Sequence, residues 1–210
     1  MFRKLRELLL KHIQGNVVIY FIVILFFVVG ISSGAFTVKA LSDQHKGELI
    51  SYMQNFFQVL NQSTFDAFSV LKQSLVNNLQ TGILTWILGV TIIGIPLILL
   101  IIVIRGFIIG FTVGFLIEQM GIKGFLFCVF AILPQNLFII PGIIIIAVIA
   151  VSFSVMLIKS KLNKNYQVDM VRQFVLYSTI VAAVFLVILL GSFIEAYITP
   201  IFMRFISQYM

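Results

Sequence analysis

Residues 82–159 read GILTWILGVTIIGIPLILLIIVIRGFIIGFTVGFLIEQMGIKGFLFCVFAILPQNLFIIPGIIIIAVIAVSFSVMLIK, a run of Ile, Leu, Val, Phe and Gly interrupted by Arg105, Glu118, Lys123 and the segment from Pro134 to Pro141. A helix that is apolar all round has no face to turn toward water, so this stretch is no part of a soluble core. It belongs in a bilayer, where every backbone polar group must find a partner inside the protein. Polar side chains are expensive there, which makes the interruptions the first functional suspects. The expected fold is all-α, a polytopic helical membrane protein.

The rest of the chain agrees. Of 210 residues, 61% are hydrophobic and only 10% charged. That leaves no room for a soluble domain beside the membrane part, so residues 1–210 read as a single integral membrane domain. A net charge of +7 would suit nucleic acid, but the basic residues are placed otherwise. Arg3, Lys4, Arg6 and Lys11 precede the first apolar run, while Lys159, Lys161, Lys164 and Arg172 share the last long polar gap. Such flanking clusters mark the cytoplasmic side and meet anionic lipid headgroups. No basic stripe interleaves with stacking aromatics, so no nucleic-acid partner is expected. The lone Cys128 lies in an apolar run and reads as a small hydrophobe.

The charge pattern suggests the following order. Residues 1–16 hold a basic amphipathic helix on the cytoplasmic surface. The apolar run after it is too long for the core of a signal peptide, so 17–38 is kept as a first span. Residues 39–80 carry balanced charges and form an extracytoplasmic loop. Leu49, Ile50, Met53, Phe56, Phe57 and Leu60 recur there at helical spacing, as do Phe65, Phe68, Leu71, Leu75 and Leu79. That spacing predicts a helical hairpin or two interfacial helices, the second helix capped by Ser63 or Thr64. Further spans are expected at 81–104, 106–120, 138–158 and 173–195, with Gly89, Gly94 and Pro96 as kink points in the first of these. Residues 121–137 read as a broken or re-entrant segment, and 159–172 as a basic cytoplasmic loop. Five spans place the N-terminus inside and the C-terminus outside; a full crossing by 121–137 makes six.

Gly106, Gly110 and Gly114 fall four residues apart, which puts them on one helix face where another backbone can approach closely. The seam lies either within the chain or between two copies, as in a homodimer. Arg105 reads as an interface anchor or one half of an internal ion pair. Glu118 lies too far along the same run to touch it, and Glu195 has no cation nearby in sequence. Pro134 and Pro141 remove backbone donors, so a helix break is expected there, with the Gln135 and Asn136 amides free to satisfy stranded carbonyls. Glu195 is expected to accept hydrogen bonds from that broken segment or from a neighbouring span. Gly30-Ile31-Ser32-Ser33-Gly34 matches a nucleophile-elbow pattern but lies inside a span, away from His12 and His45. There is no metal-ligand spacing and no phosphate-cradling loop. The expectation is therefore no catalytic residue, no metal, no cofactor and no enzyme.

Several of these stretches together resemble the stage II sporulation protein M family. They are Met1-Phe2-Arg3-Lys4-Leu5-Arg6, Arg105-Gly106-Phe107, Leu133-Pro134-Gln135-Asn136-Leu137 with Pro141-Gly142, and Ile194-Glu195-Ala196-Tyr197-Ile198-Thr199-Pro200. The resemblance implies a non-enzymatic role in engulfment of the forespore, at the sporulation septum or mother-cell membrane. It also implies partnership with the peptidoglycan-degrading stage II sporulation proteins D and P, which a scaffold would recruit and organise. The competing class is a transporter, or a permease for lipid or a small molecule. That would need a polar path through broken helices, for which Pro134 and Glu195 are the raw material.

Overall fold

The computed structural model describes residues 14–62, 66–162 and 169–207, nearly all of them helical. The expected N-terminal amphipathic helix and the Ser63 or Thr64 cap fall outside these residues. In order come α1 (Val17–Ala40), α2 (Asp43–Gln62), α3 (Ala67–Gly89) and α4 (Gly94–Met120). A rod follows, built from α5 (Ile122–Phe127), a π-helical turn (Cys128–Ile132) and α6 (Leu133–Leu162). A second rod joins α7 (Met170–Phe193), a π turn (Ile194–Ile198) and α8 (Thr199–Ser207).

Among the described residues, four stretches are long and apolar enough to cross a membrane: Val17–Ala40, Gly94–Met120, Ile122–Leu162 and Met170–Met203. The α3 helix is too polar to join them by composition, yet it runs alongside. Its Gly89 lies against Tyr177, its Gly82 against Phe185 and its Ser74 against Glu195, so it is antiparallel to α7 through the bundle. The Ile122–Leu162 rod is central, with 61% of its most apolar window buried against 22% for each of the others. Its Ile143, Ile146, Ala147 and Ala150 join Ile98 and Ile102 of α4 and Val181 and Ile188 of α7 in the main core.

The turns differ from the expected ones. The chain reverses at residues 90–93, where Thr91 N donates to Leu88 O at 3.0 Å and Gly94 N to Thr91 O at 3.2 Å. A Cβ on Gly94 would lie 1.8 Å from Leu88 O, so only glycine lets the turn close. Pro96 follows in the first turn of α4, where its missing N–H costs nothing. The expected spans 81–104 and 106–120 are thus replaced by α3 and a single α4, and Arg105 sits inside that helix instead of capping one. Likewise the segment expected to be extracytoplasmic shortens: 67–80 belongs to α3, whose N-cap is Asp66, accepting from Phe68 N at 3.1 Å. The basic 159–162 stretch is the last turn of α6.

No helix breaks at Pro134 or Pro141. Pro141 lies inside α6, and Pro134 in its first turn. The preceding turn widens to π geometry, so that Leu133 N bonds Cys128 O instead of a nearer carbonyl. The second rod repeats the device before Pro200, with Thr199 N bonding Ile194 O. Widening one turn lets the rod continue past a residue that has no N–H to give.

Between helices in lipid there is little hydrophobic drive, because the tails are as apolar as leucine; close packing and hydrogen bonds decide. The seam between α1 and α4 is the closest packing. A Cβ built on Gly106 would lie 2.4 Å from Phe27 O, one on Gly110 2.1 Å from Ile31 O, and one on Gly114 3.2 Å from Ala35 Cα. From the other side, a Cβ built on Gly30 would lie 2.3 Å from Val103 O and one on Gly34 2.2 Å from Phe107 O. The pairs advance together, so α1 and α4 are parallel neighbours. The glycine face is filled by the chain's own first helix.

Candidate functional site

On α3, Ser74, Asn77, Asn78, Thr81 and Thr85 recur at intervals of three and four, which gathers them on one side of the helix. Ser74, Asn78 and Thr85 are 4%, 3% and 1% exposed, unusual for polar groups in so apolar a chain. Burial of that kind requires partners. Asn78 Nδ2 donates to Ser192 Oγ on α7 at 3.0 Å and to Ser74 Oγ at 3.3 Å. Ser74 Oγ in turn donates to Glu195 Oε2 at 2.5 Å. Glu195 lies in the second π turn and so faces α3. Among the described residues its hydrogen-bond donor is Ser74 of the neighbouring α3 and not the 133–142 segment.

Arg105 reaches the same side from α4. Its Nη2 donates to Asn77 O at 3.0 Å and also to Thr81 Oγ1. Thr81 Oγ1 donates to Asn77 O at 3.0 Å. At 1.5 Å per residue, Arg105 stands about 17 Å from the start of α4, close to the middle of a hydrocarbon core about 30 Å thick. The interface-anchor reading is therefore corrected: this guanidinium is held at depth by α3. No direct salt bridge joins it to Glu195 among the described residues, although the two face one cavity.

That cavity measures about 240 Å³ and lies among α3, α4, α6 and Glu195. Polar groups from Ser74, Asn77, Asn78, Arg105, Thr112, Gln135, Asn136 and Glu195 line it. Gln135 Oε1 accepts from Thr199 Oγ1 at 2.9 Å, tying the start of α6 to that of α8. Asn136 Nδ2 donates to Ile132 O at 2.8 Å, the service to a carbonyl near Pro134 that the sequence suggested. Toward the basic end, the same helices close on buried Ile98, Ile102, Ile143 and Ile146.

The structure thus brings together Arg105, Gln135, Asn136 and Glu195. It leaves Glu118 at the far end, where Lys46 Nζ of α2 approaches its Oε1 at 2.9 Å. Met53 of α2 packs beside this pair on Leu116, Phe127, Cys128 and Ala131. Sequence reasoning missed Ser74, Asn77, Asn78 and Ser192. For the three on α3 the signal was available: the small polar residues of 74–85 keep the same helical period as the leucines between them. A family model described as Stage II sporulation protein M matches residues 23–200, a range holding every residue of the cavity. No curated protein and no solved structure matches the chain.

Proposed function

The chain belongs to the stage II sporulation protein M family, and on that premise we propose that it is a membrane scaffold for forespore engulfment. Membership makes it a sporulation-related protein, and its four apolar rods embed it in a membrane. The finer reading is that it sits at the sporulation septum or mother-cell membrane and performs no catalysis. There it holds the peptidoglycan-degrading stage II sporulation proteins D and P in position. One observation carries this reading. At the end opposite the basic residues, α2 is fastened to the bundle by Lys46–Glu118 and by Met53, which supports reading it as a platform for partners. Glu48, Ser51, Tyr52 and Asn55 form its exposed side, Tyr52 being 76% exposed.

The packed isoleucines toward the basic end weigh against a transporter, which needs a polar path to both sides. The test is co-purification from sporulating cells. A triple variant of Glu48, Tyr52 and Asn55 to Ala, expressed at wild-type level, is expected to lose both partners and stall engulfment. Undiminished capture of both by that variant would refute the platform.

A further inference from the structure

We propose that the intramembrane cavity holds the headgroup of a phospholipid bearing both a phosphate and a primary ammonium, the chemistry of phosphatidylethanolamine. The inference stands apart from the scaffold role and rests on the cavity alone.

Two unlike charges face this space and attract each other across it without touching, and among the described residues the hydrogen-bond partners of each are neutral. Arg105 binds a carbonyl and a hydroxyl, and Glu195 a hydroxyl. A charge at membrane depth is costly unless an opposite charge answers it. A zwitterion answers both at once. Arg105 holds five N–H donors in a planar fork, and its two bonds to α3 both come from Nη2. A phosphate takes donors of that geometry. A primary ammonium suits Glu195, whose Oε2 already accepts from Ser74.

The route of entry points to a lipid. Asn77, Ile108 and Thr112 line the cavity and are exposed, so its mouth opens on the outside of the bundle between α3 and α4. Ile108 is 55% exposed and lies among lipid-facing Ile104 and Leu100 on the same helix. It stands about 21 Å from the start of α4, inside a hydrocarbon layer about 30 Å thick. Ile109, Ile132 and Ile139 supply an apolar wall for the glycerol and first acyl carbons. Other headgroups fit less well. A quaternary ammonium is recognised by aromatic faces, and no aromatic side chain lines the cavity. A glycerol headgroup brings no cation for Glu195.

The experiment uses the full-length protein in detergent and native mass spectrometry. It is offered phosphatidylethanolamine, phosphatidylcholine and phosphatidylglycerol with identical acyl chains, and separately soluble phosphoethanolamine. The expected result is retention of phosphatidylethanolamine about tenfold above the other two, the worth of one charge-assisted contact. Glu195→Gln should erase that preference, and Arg105→Gln should weaken retention of all three lipids. Because a substitution at a buried charge can disturb folding, Ile108→Trp provides an independent arm. It fills the mouth from a lipid-exposed position and should abolish retention without moving the melting temperature. Equal retention of the three lipids would overturn the proposal, as would a preference untouched by Glu195→Gln and Ile108→Trp. Competition by soluble phosphoethanolamine as effective as that by the lipid would overturn the membrane source.

Discussion

Replacing Gly110 with alanine adds one methyl group where no side chain can move aside. The new Cβ would meet Ile31 O at 2.1 Å and the Ile31 carbonyl carbon and Cα at 2.7 Å, all backbone atoms of α1. Reaching ordinary contact at 3.4 Å requires the helices to part by about 1.3 Å. A gap of that order forfeits a quarter to a half or more of each dispersion contact along the seam, including those at Gly30, Gly34 and Gly106. Overpacking a core costs about 1–3 kcal/mol, and a clash with rigid backbone belongs at the top of that range. A loss of about 3 kcal/mol raises the unfolded fraction roughly 100-fold. The assay is reversible unfolding in mixed micelles, followed by helical circular dichroism. The seam predicts a graded series, with Gly110→Ala the most harmful, Gly106→Ala next at 2.4 Å, and Gly114→Ala mildest at 3.2 Å. Gly47→Ala in α2, with nothing within 4 Å, is the control; it should be neutral or stabilising by up to about 1 kcal/mol. If Gly110→Ala stays within about 0.5 kcal/mol of wild type, the range of an ordinary surface change, the reasoning fails.

Three further outcomes are expected. With Cys128 replaced by Ala, a cysteine at Ser42 should be labelled by an impermeant maleimide on intact cells, and one at Ser160 only after lysis; the reverse would invert the topology. Glu195→Gln keeps an acceptor oxygen for Ser74 and should melt near wild type, whereas Glu195→Leu leaves that hydroxyl unpaired and should cost about 1–3 kcal/mol; equal melting of the two variants would deny the hydrogen bond its role. Asp66 is held below its ordinary pKa of 3.8 by the Ser69 hydroxyl and then the Phe68 N–H. Its contribution is therefore present above pH 3.8 and lost as the pH falls through the lowered value, so the wild-type advantage over Asp66→Ala should shrink on acidification, and growth of that advantage would contradict it.

The membrane class was legible in the apolar run alone, because nothing else tolerates such a stretch. The turns were not, because their positions were inferred from charge. Arg105 looked like a boundary, whereas the chain actually reverses through Val90, Thr91, Ile92 and Ile93, a turn with no charge and little polarity. It closes through backbone bonds and through Ser154 Oγ, which donates to Thr91 O at 2.7 Å from a distant helix. Composition fails in the same way for α3, whose polarity reads as water-facing until Ser192, Arg105 and Glu195 are seen to meet it. The prolines show a different limit. Their chemistry fixes that a donor is missing, but not whether the helix breaks or widens; the π turns at Cys128–Ile132 and Ile194–Ile198 resolve that by continuing the rod. Four of the five polar residues singled out do converge, since ionisable and amide groups in so apolar a chain have few places to go.

The parallel pairing of α1 with α4 also dictates an order of events during biosynthesis. Helices that enter a bilayer one after another ordinarily pair as neighbours, but here α2 and α3 emerge between the two halves of the tightest seam. From Ala40 to Met120 the ribosome must add 80 residues, about 4–16 s at ordinary elongation rates. Throughout that interval the notches at Gly30 and Gly34 face lipid unfilled, and the Asn77 carbonyl and Thr81 hydroxyl of α3 wait for the guanidinium that will bind them. Bundle closure is thus post-insertional, and it hinges on the arrival of α4. A lesion in the α4 glycines acts first on the nascent chain, where membrane quality control meets an unpaired α1.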